Sequence, residues 1–164
     1  MTSLPPPPPG WNPKDVVPET QQQAQDRLLR YLQRTLQALP PGTMLDASRY
    51  VGAGHNSSCD DNPGGPNPPT RFNTIGDLKF PPGTDLRKTI TATGGIWRSW
   101  GWYVTERDGF RKPNQFGYGP DGYRLQVVTA AREGYPPTLQ GSSPCFPGEL
   151  ARDDIPIPAV LKAD

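Results

Sequence analysis

The stretch "PPGTDLRKTITATGGIWRSWGW", residues 81–102, decides whether the fold has a second helix or a further strand. Thr84 or Asp85 can cap a helix, and Leu86, Ile90, Gly94 and Trp97 recur at helical spacing. Against this stand the threonines at 89, 91 and 93 and the pair Gly94-Gly95, all of low helix propensity. The single apolar face outweighs them and predicts a helix from about Asp85 to Trp100.

Upstream, "PETQQQAQDRLLRYLQRTLQAL" (18–39) is a plainer helix. Thr20 and Gln23 fit a capping box. Ala24, Leu28, Tyr31, Leu32, Thr35, Leu36 and Leu39 form one stripe, and Pro40-Pro41-Gly42 stops it. Five strand candidates surround the two helices, at 43–54, 70–80, 101–110, 123–133 and 135–146. The second needs a bulge near Gly76 to keep its alternation. The last is expected on an edge, because Pro136 and Pro137 cannot donate to a ladder. Residues 55–69 and 111–123 read as loops, the latter a long hairpin connection. In the strand at 123–133, Tyr123, Leu125 and Val127 share a face. The expected fold is therefore α+β: an antiparallel sheet of about five strands with two helices packed on one face.

The chain has 164 residues, 33% of them apolar, with 23 prolines and 18 glycines. The prolines cluster, notably in "LPPPPPGWNP" (4–13) and "NPGGPNPP" (62–69), so the segments between remain foldable. The expected division is a proline-rich disordered linker at 1–17, one domain at 18–150 and a C-terminal tail at 151–164. With 17 basic and 16 acidic residues, and no basic block longer than two, a nucleic-acid footprint is excluded. No apolar run is long enough to span a bilayer, and no signal-peptide core is present. The expectation is therefore that a membrane is met only through an anchor absent from this chain.

Two cysteines occur, in "NSSCDDN" (56–62) and "SSPCF" (142–146). A disulfide between Cys59 and Cys145 is the favoured reading; it closes a loop of about 87 residues, worth roughly 4 kcal/mol in the chain-entropy model. Free thiols, a metal site with His55 and Asp60 or Asp61, and a nucleophile with His55 as base are the alternatives. The spacing matches no usual zinc pattern, and a four-residue separation in a Gly/Asn/Ser loop gives no rigid base. No phosphate loop, nucleophile elbow or dinucleotide fingerprint is present, and no cofactor is expected. Aromatic residues are dense at Trp97, Trp100, Trp102 and Tyr103, and again at Phe116 and Tyr118. They serve either as core or as a contact surface.

The succession "W", "GWYV", "DGYRLQV" and "GSSPCF", with the helix end "LPPGT", resembles small lipoproteins and envelope ectodomains of mycobacteria and other actinobacteria, of the LppA type. The resemblance covers roughly residues 22–147. It implies an exported α+β domain, a disulfide between Cys59 and Cys145, and no enzyme activity. The chain departs from it in having no lipobox cysteine before the domain. The expected function is a non-catalytic extracytoplasmic domain of a cell-envelope protein, binding an envelope protein or ligand. The competing expectations are a ligand-sensing receptor ectodomain and a hydrolase using His55, Asp60 and Asp61.

Overall fold

The computed structural model describes residues 5–50, 54–60 and 64–164. Two helices form, α1 (Gln21–Gln37) and α2 (Leu86–Ser99). The strands are β1 (Met44–Asp46), β2 (His55–Ser58), β3 (Thr70–Lys79), β4 (Tyr103–Thr105), β5 (Asn114–Tyr118), β6 (Arg124–Val128), β7 (Thr138–Ser142) and β8 (Val160–Lys162). The α+β class and the antiparallel sheet are as expected. Among the described residues the sheet has eight strands rather than about five, in the order β4-β5-β6-β7-β3-β1-β8, with β2 also paired to β3.

Both helices start as their sequences dictate. Thr20 Oγ1 accepts from the Gln23 N–H at 3.0 Å, while Gln23 reaches back to the Glu19 N–H at 2.7 Å. Asp85, not Thr84, caps α2 by accepting from the Lys88 N–H at 3.1 Å. The threonines of α2 are accommodated because Thr89, Thr91 and Thr93 donate to carbonyls one turn back.

The extra strands come from three segments read as irregular. β5 lies inside the supposed hairpin connection at 111–123, between β4 and β6. β2 lies inside the supposed loop at 55–69 and pairs with the Thr70–Asn73 end of β3. β8 arises from the supposed tail and pairs with β1. These short strands have little pattern of their own; pairing with neighbouring strands imposes theirs. The strand expected over 43–54 is only Met44–Asp46 among the described residues. β3 is long enough to carry β1 along one end of its edge and β2 along the other.

β7 is interior, between β6 and β3, and not an edge. Pro136 and Pro137 precede its ladder, so every paired residue from Thr138 to Ser142 keeps its N–H. No bulge interrupts β3: its register against β7 is continuous from Asn73 to Asp77. Phe72, Thr74, Gly76 and Leu78 face the helices, and Ile75 faces the other way. Gly76 is needed for packing instead, since a Cβ there would lie 2.8 Å from Leu45 Cδ1.

The helices cover one face of the sheet. Ala24, Leu28, Leu32 and Leu36 of α1 and Ile90 and Trp97 of α2 pack with Leu78, Leu125, Val127 and Leu139 in one core. Full burial of each such side chain contributes about 1.5–3 kcal/mol. Tyr123 lies on this face with Leu125 and Val127, as their alternation predicts. The C-terminal segment runs beside α1, held by glutamines four or eight residues apart on that helix. Gln25 donates to Ile155 O, Gln33 to Lys162 O and Gln37 to Ala163 O.

Candidate functional site

The second face of the sheet carries Arg71, Asn73, Phe116, Tyr118, Arg124, Gln126 and Gln140, because alternate residues of each strand point away from the helices. A half-solvated sheet normally meets water there. Here Phe116 and Tyr118 are each only 2% exposed. Two segments cover them. The loop before β5 is organised by buried Asn114, whose side chain bonds the N–H and C=O of Arg107 and the carbonyl of Arg111. It packs the Phe110 ring on Phe116, centroids 4.8 Å apart.

The other cover is the proline-rich segment at 5–17, expected to be a disordered linker. It forms an extended strap. Proline removes backbone donors and favours an extended chain, so its carbonyls must find donors elsewhere. They find the sheet. Arg107 Nη2 donates to Pro6 O at 2.7 Å, and Tyr118 OH and Arg124 Nη1 donate to Pro5 O, each at 3.2 Å. Arg107 also bonds the Tyr118 hydroxyl at 2.7 Å, locking the pair. Trp11 lies against Tyr103 with centroids 5.9 Å apart. The strap is rooted by Lys14 N–H to Pro120 O and Val16 N–H to Asp121 O, both 2.9 Å.

Beneath the strap is a cavity of about 30 Å³ lined by Pro7, Asp15, Arg71, Arg124, Ser143 and Cys145, among others. Burial lowers the pKa of Arg71 and of Arg124, and the positive charge of Arg71 lowers that of Arg124 further. Asp15 opposes this for both. Burial likewise raises the Tyr118 hydroxyl, against the pull of Arg107 and Arg124.

The two cysteines are joined. Cys59 follows β2 and Cys145 follows β7, with Cα atoms 6.4 Å apart and 86 positions apart in sequence. The bond fixes the end of β2 beside the arginine cavity, where Arg71 Nη2 lies 3.2 Å from Cys145 Sγ. A disulfide marks an oxidising, extracytoplasmic compartment. Among the described residues no helix is long and apolar enough to cross a membrane.

The six aromatic residues singled out by sequence divide sharply. Trp97 and Trp102 are core, Phe116 and Tyr118 lie under the strap and its neighbouring loop, Trp100 is half-buried, and Tyr103 is 38% exposed. Trp97 donates its indole N–H to Thr35 on α1, a role no surface residue plays. The residues suggested for hydrolysis do not converge. His55 opens β2, and exposed Asp60 lies past its far end. Asp61 lies outside the described residues. No cluster of three potential metal ligands occurs among the described residues.

Sequence reasoning missed Arg71, Arg107 and Arg124, which sit singly at positions 17 or more apart where the next arginine of the set is 36 or 17 residues on. Their one signal was the alternation of β3 and β6, which puts Arg71 and Arg124 opposite the apolar face. No protein-family model, curated protein or solved structure matches this chain.

Proposed function

We propose that this chain is a non-catalytic extracytoplasmic domain of a cell-envelope protein that binds a protein partner through the strap-covered face of its sheet. The observation that carries the reading is the arrangement of Arg107, Tyr118 and Arg124, whose donors take the main-chain carbonyls of an extended segment. Main-chain recognition of an extended chain is a binding chemistry. The disulfide supports the compartment. The envelope assignment, and the resemblance to LppA-type lipoproteins, belong to the same proposal.

The sensor alternative asks for an enclosed site of roughly 300 Å³ or more. The cavity under the strap holds only about 30 Å³, and the roomier cleft of about 670 Å³ between the start of α1 and residues 149–156 is open to solvent rather than enclosed. The hydrolase alternative asks for His55 and a carboxylate within hydrogen-bond reach. Among the described residues, both His55 nitrogens are buried without a hydrogen-bond partner.

The test is complementation of a strain lacking the gene. A chain with His55→Ala, Asp60→Asn and Asp61→Asn together is expected to restore the phenotype fully. A chain with Arg107→Ala and Tyr118→Ala is expected to fail while still accumulating in folded, oxidised form. The reverse pattern overturns the proposal.

A further inference from the structure

The strap fits its groove incompletely. Among the described residues, Trp11 Nε1 and Arg71 Nε are both buried without a hydrogen-bond partner. Leaving such donors unpaired is unfavourable, and native proteins avoid it. Among the described residues no ion pair includes Arg71, Arg107 or Arg124. Asp15, on the strap itself, faces Arg71 and Arg124 but comes within 4.0 Å of neither. Arg71 and Arg124 are half-buried, and cations withdrawn from water are ordinarily paired. The groove thus offers two things at once. One is a row of donors spaced for the carbonyls of an extended chain without amide donors. The other is an arginine pair for which the strap supplies no bonded anion.

We propose that this face is a docking surface for an extended, proline-rich segment of a partner protein that carries a carboxylate, and that residues 5–16 are a built-in competitor for it. The inference rests on the binding reading above and names its partner class. The partner's prolines take the places of Pro5 and Pro6 under Arg107, Tyr118 and Arg124. Its carboxylate reaches Arg71 and Arg124 and accepts the orphaned Arg71 Nε–H. Aromatic and arginine side chains lining a groove are the usual means of reading such segments. The cavity of about 30 Å³ beneath the strap is small, with room for a few waters at most. An extended partner chain carrying a carboxylate would lie where the strap lies, so it docks only when the strap leaves. A second copy of this chain is the poorer occupant, because its segment has the same sequence and the same misfit.

The experiment uses the full chain and two fluorescent decapeptides. One has eight prolines flanked by aspartates; the other has asparagines in their place. Anisotropy is measured with the wild-type chain and with two variants. In the first, Pro5 to Pro9 are all replaced by Ser. In the second, Lys14→Pro and Val16→Pro remove the two N–H groups that root the strap, without touching the groove. Both variants are expected to bind the aspartate peptide at least tenfold more tightly than the wild type. They should also prefer it to the asparagine peptide by about tenfold, and Arg71→Gln added to the Lys14→Pro, Val16→Pro variant should abolish that preference.

If both variants keep the wild-type circular dichroism and bind neither peptide, the docking proposal is overturned. Equal binding of the two peptides overturns the carboxylate assignment. A concentration-dependent dimer of the wild type, lost when Pro5 to Pro9 are replaced, reassigns the groove to a second copy and also overturns it. Failure in these assays with the complementation pattern above intact leaves the domain a binding module with a different partner. Failure of the complementation pattern removes the binding reading itself.

Discussion

Trp97 donates its indole N–H to Thr35 Oγ1 at 3.1 Å, joining the two helices inside the core. Thr35 in turn donates to the Tyr31 carbonyl one turn back. The hydroxyl thus satisfies two buried groups from a residue with no exposed surface. Thr35→Val keeps the shape and removes the acceptor, so the Trp97 N–H is left unpaired. Urea denaturation should show a loss of about 1–3 kcal/mol. Thr35→Ser, which keeps the hydroxyl, should lose less. Equal losses would mean that packing, not the hydrogen bond, carries the contact.

The adjacent glycines of α2 should respond oppositely to alanine. A Cβ at Gly95 meets nothing within 4 Å, so Gly95→Ala should gain up to about 1 kcal/mol from helix propensity. A Cβ at Gly94 would overlap the side chain of Gln115, which is buried on β5. Gly94→Ala should therefore lower the melting temperature where Gly95→Ala raises it.

The Cys59–Cys145 bond should make stability redox-dependent. Alkylation of the native oxidised chain should add no label, and alkylation after reduction should add two, read by intact mass. Replacing both cysteines by Ser should destabilise the domain by roughly 2–5 kcal/mol. Two labels before reduction would contradict the structure.

Asp77 and Tyr50 set two limbs of a stability-versus-pH curve. Burial pushes the Asp77 carboxyl up, but hydrogen bonds from Arg49 and Tyr50 more than offset this and hold it below its ordinary 3.8. A depressed carboxylate adds stability above the unfolded value that is lost as pH falls through the folded one. Asp77→Asn should flatten the acid limb below about pH 4. Burial, with Asp77 beside it, pushes the Tyr50 hydroxyl up to about 12 from 10.0. Its contribution is full below pH 10.0 and lost as pH rises toward about 12. Tyr50→Phe should shallow the alkaline limb without abolishing it, since Tyr31, Tyr118 and Tyr123 are also raised.

Legibility in the sequence followed the strength of local pattern. α1 was written in its stripe and its Thr20–Gln23 box, and α2 in one apolar face that outweighed its threonines. The face shared by Tyr123, Leu125 and Val127 was equally plain. β2 and β8 were not legible, because "HNSS" and "VLK" are strands only by virtue of β3 and β1 alongside them. The interior place of β7 was hidden by prolines that turn out to precede its ladder.

The sequence by itself determined the α+β class, both helices, the favoured pairing of the only two cysteines and the absence of any clustered catalytic pattern. Each of these depends on residues close in the chain or on composition. Only the tertiary structure decided the candidate site. Pro6 and Arg107 are 101 residues apart, and Arg71 and Arg124 come to one cavity from different strands. A run of prolines states that a segment is extended and lacks donors. Where its carbonyls go is settled by which side chains the folded sheet happens to present, and that information is spread over the whole chain.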